Sequence, residues 1–186
     1  MVLRKKESRE PVDTIDSLSY KEAYGFFHSI RSAWEASKPC QQLRSTLLST
    51  KTQFSCSKVV GLALGPMGYG GQGSLRAAYQ HSLMLTLRDV FSEKKARPGT
   101  ERCPDSRDSI VCYAQDPAYT KVDRSVLAEC EISVLGNPKG FLEVDDSTVV
   151  LSCAPSVPVK QIIFDLAQPS VIIVDRILDK EPDVSV

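Results

Sequence analysis

Residues 58–88 read KVVGLALGPMGYGGQGSLRAAYQHSLMLTLR, and this stretch decides the fold. Its apolar run at 59–64 is typical of a strand buried on both faces of a parallel sheet. The segment 65–73 is rich in glycine and fits neither a helix nor a strand, so we predict a turn there. Ser74 then caps a helix whose apolar residues recur at a spacing that places them on one inward face. These residues are Leu75, Ala78, Tyr79, Leu83, Leu87 and Phe91.

A strand, a glycine-rich turn and a helix in this order suit anion binding, because free backbone N–H groups and the positive end of the helix dipole face one point. Gly68, Gly70 and Gly73 fit the G-x-G-x-x-G spacing of dinucleotide sites, but in a longer loop, and no GK[ST] follows to make a P-loop. The alternative is a connection that only lets strand and helix pack closely. The residues predicted to bind an anion here are Gly65, Gly68, Gly70, Gly71, Gly73, Ser74 and Arg76.

A second polar turn follows the apolar run 110–114. In open α/β sheets, ligands bind at the carboxyl ends of the strands, so Asp116, Tyr119 and Asp123 are predicted to lie in the same cleft. Asp116 would accept a hydrogen bond from a ligand hydroxyl. The alternative is that Asp116 starts a turn with Pro117 and that Asp123 caps the following helix.

Composition limits the function classes. The 186 residues carry 23 basic and 23 acidic side chains, so no net charge attracts the chain to nucleic acid or to a membrane. No apolar run approaches the length of a membrane span, and the charged start predicts no secretory signal. Six scattered cysteines without a C-x-x-C pair predict reduced thiols, and two histidines make a metal site improbable. We expect the cytoplasm, with the nucleus left open.

The chain alternates helices and strands. We predict a flexible tail at 1–18, two helices within 19–50, an α/β core at 58–177 and a second tail at 178–186. The two early helices either cover the core or hold a partner. Residues 19–177 are predicted to form one domain, a Rossmann-like three-layer sandwich with a mainly parallel sheet of about five strands and helices on both faces.

Other chemistry receives less support from the sequence. Cys112 and Cys153 lie on predicted strands, where buried thiols are usually inert. His81 is predicted to lie on the surface of its helix, and Gln80 beside it to hydrogen bond to backbone. A Cys–His mechanism is therefore not favoured.

Three segments in this order resemble a known family. They are VVGLALGPMGYGGQGSLRAAYQHSL, then VCYAQDPAYTKVDRSVLAEC with the strand and proline loop that follow it, and PSVIIVDRI. Together they are similar to the SRR1-like domain, and closest to its fungal branch; the family was first described in a plant protein of red-light response and circadian timing. The D-P-x-Y-x-x-x-D run from Asp116 to Asp123 is the most specific part. Ser152–Pro155 departs from the M-P-H-C of plant and animal members, so the role of that histidine does not transfer.

The resemblance implies a Rossmann-like fold and a regulatory protein. The first hypothesis is an SRR1-like regulatory or interaction protein, with a protein partner and a small anionic ligand pocket at the glycine-rich loop. The alternative is an enzyme that binds a nucleotide-type cofactor there, for example NAD(P) or S-adenosylmethionine. Nucleic-acid binding is disfavoured because the sequence has no basic stripe.

Overall fold

The computed structural model describes residues 18–50, 56–96, 109–153 and 155–175. The predicted terminal tails therefore lie almost wholly outside the described residues. Five strands are present in these ranges: β1 Lys58–Leu62, β2 Val111–Gln115, β3 Ile132–Val134, β4 Thr148–Ser152 and β5 Val171–Val174. The helices are α1 Tyr20–Glu35, α2 Lys38–Ser49, α3 Gly71–Ala96, α4 Lys121–Glu129, α5 Lys139–Leu142 and α6 Val159–Leu166.

The strands form one sheet in the order β3-β2-β1-β4-β5, and every neighbouring pair is parallel. This confirms the predicted α/β class and a parallel sheet of five strands, in an order consistent with a Rossmann-like fold. The chain builds outward from β1 to β3 and then returns to β4 on the other side of β1. The strand order therefore reverses between β1 and β4, which is where open α/β sheets leave a crevice at their carboxyl edge.

Two apolar clusters occupy opposite faces of the sheet, because successive strand residues point to opposite sides. Val59 belongs to the larger cluster, which includes buried residues of α1, α3 and α4. Val60 and Leu62 belong to the smaller one, with Val159 and Ile163 of α6. None of the helices within the described ranges is long and apolar enough to cross a membrane.

Helices α1 and α2 pack against α3, as the core-covering interpretation predicts. The α1 helix begins with a capping box, in which the side chains of Ser19 and Glu22 each accept a hydrogen bond from the other residue's backbone N–H. Phe27 of α1 is fully buried in the larger cluster. Trp34 of α1 donates its indole N–H to Thr86 of α3 over 2.9 Å. The two helices are thus part of the core around α3.

Helix α3 differs from its prediction in three ways. It begins at Gly71 rather than after Ser74, because Gly70 and Gly71 complete the turn with φ values of 72° and 75°. Ser74 is therefore a buried residue of the first turn and does not precede the helix as its N-cap. The buried face centres on residues such as His81, which is fully buried and not on the surface. Leu75 and Tyr79, predicted to point inward, are instead 37% and 40% exposed.

Candidate functional site

The glycine-rich loop after β1 and the turn after β2 lie side by side at the carboxyl edge of the sheet, since their strands are parallel neighbours. The loop reverses sharply: Ala63 and Gly65 have φ values of 56° and 81°. At Gly68 the φ is ordinary, but a Cβ would lie 3.0 Å from the Thr120 hydroxyl. The loop is thus pressed against the β2 turn.

Asp123 joins the two segments. One carboxylate oxygen accepts hydrogen bonds from the N–H groups of Met67 at 2.7 Å and Gly68 at 2.9 Å. The other accepts from the N–H and the hydroxyl of Thr120 at 2.8 Å and 2.7 Å. Asp123 is fully buried, and together with Thr120 it forms the capping box of α4. Its negative charge is held by four donors from the chain itself.

Asp116 makes a second link of the same kind. One of its oxygens accepts from the Gly65 N–H and the other from the Ala118 N–H, both at 2.8 Å. The second contact is the turn that an Asp before Pro is expected to start. Asp116 and Asp123 together engage three amides of the glycine-rich loop. The chain's own carboxylates therefore occupy the first half of the predicted anion site.

Tyr119 is buried under this turn and pairs with His81. The His81 Nδ1 lies 2.7 Å from the Ala77 carbonyl, so that nitrogen carries the proton; Nε2, 2.8 Å from the Tyr119 hydroxyl, accepts from it. Burial lowers the pKa of His81 to about 4, although the hydrogen bond to the Ala77 carbonyl acts in the opposite direction and raises it. Burial and the charges of Asp116 and Asp123 raise the pKa of Tyr119 well above its usual range. Both side chains are neutral near pH 7 and satisfied by each other.

The second half of the loop has a different environment. Gly71 and Gly73 are exposed, and a Cβ added at Gly70, Gly71 or Gly73 would meet nothing within 4 Å. Among the described residues, no acidic side chain lies in the first turn of α3. The positive end of this 26-residue helix therefore lies at an exposed turn that carries no carboxylate of its own.

Arg76 lies one turn further on, beside this helix end. The side-chain amide of Gln80 has one orientation in which both its oxygen and its nitrogen form hydrogen bonds. In that orientation the Gln80 oxygen accepts from Arg76 Nε at 3.1 Å, and the Gln80 nitrogen donates to the Leu64 carbonyl at 3.2 Å. Arg76 also donates to the Cys153 carbonyl at 3.4 Å and lies 3.8 Å from Asp175. These contacts hold the guanidinium over a cleft between α1, α3 and the ends of β4 and β5.

The comparison with protein families identifies the chain. Residues 36–179 match the model of the SRR1 domain, which is most of the chain. The protein belongs to the SRR1 domain family. No curated protein and no solved structure matches the sequence. The predicted family is confirmed, while its fungal branch stays a prediction.

The family match includes the predicted site but assigns no chemical role to its residues. The matched range of the SRR1 domain begins at Ala36, so helix α1, with Trp34 at the cleft, precedes it. The glycine-rich loop, the Asp116–Asp123 turn and the end of β4 all lie within the matched range.

The two strand cysteines of the SRR1 domain, Cys112 and Cys153, are poorly suited to nucleophilic attack. Burial raises the pKa of Cys112 to about 12. Burial and the Asp175 charge raise the pKa of Cys153, against the effect of Arg76. A thiol is nucleophilic only as the thiolate, so neither cysteine is activated near neutral pH. In the described ranges no three His, Cys, Asp or Glu side chains are grouped as metal ligands.

The predicted site residues thus divide into two groups. Gly65 and Gly68 lie with Asp116, Tyr119 and Asp123 in an internal network. Gly70, Gly71 and Gly73 form the turn and the start of α3, where Ser74 is buried, and Arg76 lines the neighbouring cleft.

Of the nine residues that line the cleft, sequence reasoning predicted only Arg76 as a site residue. The missed residues of α3 are Gln72, Leu75, Tyr79, Gln80 and Leu83. The spacings of three and four residues from Arg76 to Tyr79 and Gln80 are a local signal that places them on one helix face. Trp34, Cys153 and Asp175 come from elements that only the fold brings to α3.

Proposed function

We propose that this SRR1-domain protein is a non-catalytic regulatory protein that binds a small anionic ligand at the N-terminal end of α3 and acts through a protein partner. The exposed first turn at 71–73, beside the guanidinium of Arg76, is the observation that carries the ligand. Backbone N–H groups and a guanidinium are the donors that phosphate, sulfate and carboxylate groups use in proteins. The place also agrees with the strand-order reversal between β1 and β4, where such sheets hold ligands.

The internal network supports a binding role over catalysis. Asp116, Tyr119 and Asp123 are the site residues predicted from the β2 turn, and each is already paired within the chain. A paired and buried group is costly to redirect towards a substrate. We infer that these three residues shape the loop, and that Gly70–Gly73 and Arg76 contact the ligand.

The test uses inorganic phosphate as the probe and two substitutions at one glycine. Gly73 takes a side chain without a clash, so Gly73→Ala keeps the surface neutral and Gly73→Glu adds a negative charge at the helix end. We expect phosphate, at about ten times its Kd, to raise the Tm of the wild type by roughly 3–6 °C over a sodium chloride control of equal ionic strength. G73A should respond like the wild type, whereas G73E should lose the response because its carboxylate repels and replaces the anion.

Two results would count against the anion site. The first is a wild-type Tm that phosphate raises no more than sodium chloride does. The second is an unchanged phosphate response in G73E. Both variants should fold, since the glutamate is also favourable to the helix dipole.

The alternative is an enzyme that binds a nucleotide-type cofactor, NAD(P) or S-adenosylmethionine, at the same loop. The reversal of strand order between β1 and β4 is the observation in its favour, because doubly wound sheets bind nucleotides at such a point. Native mass spectrometry of gently purified protein separates the two hypotheses. A copurifying adenine-containing compound would favour the enzyme, whereas a clean apo mass with a phosphate response would favour the regulatory protein.

A further inference from the structure

The cleft next to Arg76 is a formed cavity, distinct from the helix end itself. Its volume is about 450 Å³, within the range of small-molecule sites. One wall is a face of α3, and the opposite wall comes from α1 and from the ends of β4 and β5. The lining residues are Trp34, Gln72, Leu75, Arg76, Tyr79, Gln80, Leu83, Cys153 and Asp175.

Most of the cleft surface is apolar and aromatic. Leu75 and Tyr79 lie one turn apart on α3 and keep more than a third of their surface exposed. The Trp34 ring meets the Tyr79 ring edge to face, with centroids 6.5 Å apart and planes at 78°. Because the Trp34 N–H is bonded to Thr86, the indole is fixed and presents carbon to the cleft. Such a corner favours a flat apolar group over a bare hydrated ion.

The polar end of the cleft is the Arg76 guanidinium. Gln80 engages its Nε, and the Cys153 carbonyl lies near one terminal nitrogen. The Asp175 carboxylate is 3.8 Å away, too far for a hydrogen bond. With five N–H donors on a guanidinium and 56% of the side chain exposed, donors remain for an incoming oxyanion. Arg76 and Tyr79 are three residues apart on one helix, so the oxyanion would lie directly beside the aromatic surface.

We propose that the ligand of this site is an aromatic anion, in which a planar apolar ring system lies against Trp34, Leu75 and Tyr79 and its attached phosphate, sulfonate or carboxylate group binds Arg76. This rests on the proposed function, which supplies the anion, and adds the class of the molecule that carries it.

The experiment uses 1-anilinonaphthalene-8-sulfonate, a fused aromatic ring with one sulfonate, titrated into the full chain. Trp34 is the only tryptophan, so energy transfer from its emission reports binding of the probe to the domain, and the variants locate the probe. We expect saturable quenching of Trp34 with one probe per chain. The uncharged analogue N-phenyl-1-naphthylamine should bind at least about 10-fold more weakly, since it lacks the group that Arg76 holds.

Three variants locate the probe. Arg76→Gln should weaken binding about 10-fold by removing the charge, and Leu75→Glu should abolish it by placing a carboxylate in the apolar wall. Both sites are exposed, so we expect native circular dichroism spectra. Phe164→Ser is the matched control, because Phe164 is a 64% exposed apolar residue on α6, away from the cleft. It should leave the affinity unchanged.

The outcomes separate this inference from the proposed function. If phosphate stabilises the protein but the sulfonate probe does not quench Trp34, the aromatic class is wrong and the anion site stands. If neither probe acts, both are wrong. Equal affinity in L75E and the wild type, or a loss of binding in F164S alone, would also overturn the aromatic site.

Discussion

At the scale of single residues, the Asp123 carboxylate accepts four hydrogen bonds from two separate segments. Hydrogen bonds to a charged acceptor are worth more than those between neutral groups, and a buried donor that loses its partner is costly. Asp123 thus replaces, within the chain, the anion that a glycine-rich loop would otherwise bind. These hydrogen bonds hold the first half of the loop in place, and the proposed anion site begins only at Gly70.

We predict that Asp123→Asn lowers the free energy of unfolding by about 3 kcal/mol or more, because its amide NH₂ would face N–H groups that need an acceptor. Urea unfolding followed by Trp34 fluorescence measures the change. Asp165→Asn, at an exposed position on α6, is the matched control and should lower the free energy of unfolding by less than about 0.5 kcal/mol. Equal stabilities of the two variants would show that Asp123 does not hold the loop.

At the scale of elements, α1 is the helix that precedes the matched SRR1 range and still contributes to the core of the domain. Its buried residues are Ala23 and Phe27, and the Phe27 ring meets His81 of α3 edge to face at 6.5 Å. Trp34 then fixes the far end of α1 to α3 through Thr86. The helix therefore supports the residues beneath the site and supplies one wall of the cleft.

We predict that Phe27→Ala costs about 4 kcal/mol of unfolding free energy, as expected for a fully buried phenylalanine. Phe26→Ala, on the same helix but only partly buried, should cost about 1 kcal/mol. Urea unfolding by far-ultraviolet circular dichroism should show one transition in each variant. A small effect of F27A, or a separate early transition for α1, would mean that α1 is not part of the cooperative core.

Elements with local signals could be predicted from the sequence, whereas their contacts could not. The apolar runs 59–64 and 148–153 each predict a strand, and they agree within two residues with β1 and β4 because apolar runs and breakers are local features. The alternative in which Asp123 caps the following helix is also local, and the structure shows it in the Thr120–Asp123 capping box. Whether the Asp123 carboxylate faces a ligand or the Met67 amide depends on two turns that are more than 50 residues apart. A local sequence pattern cannot reveal a contact between residues so far apart in the chain.

At the scale of the whole molecule, His81 connects the layers around α3. It contacts Phe27 of α1 and Tyr119 of the β2 turn, and the charges of Asp116 and Asp123 lie near it. The sequence placed it on the surface because a polar residue on an amphipathic helix usually lies there. Burial is tolerated here because both ring nitrogens have partners, the Ala77 carbonyl and the Tyr119 hydroxyl. The burial makes the stability of the fold depend on pH.

In the folded protein the pKa of His81 is lowered to about 4 by burial, whereas in the unfolded chain it is about 6.5. The unfolded chain therefore binds more protons between these values, so the stabilisation is full above about pH 6.5 and is lost as the pH falls towards 4. The total stabilisation is about 3 kcal/mol, of which about 2 kcal/mol is lost by pH 5.

Urea unfolding at about pH 7 and about pH 5 measures this loss. His81→Gln should be less stable than the wild type at both pH values, but its stability should fall by about 2 kcal/mol less between about pH 7 and about pH 5. His28→Gln, at a partly exposed position, is the control and should keep the pH dependence of the wild type. An identical loss of stability in H81Q and the wild type would show that other titratable groups, and not His81, cause the pH dependence.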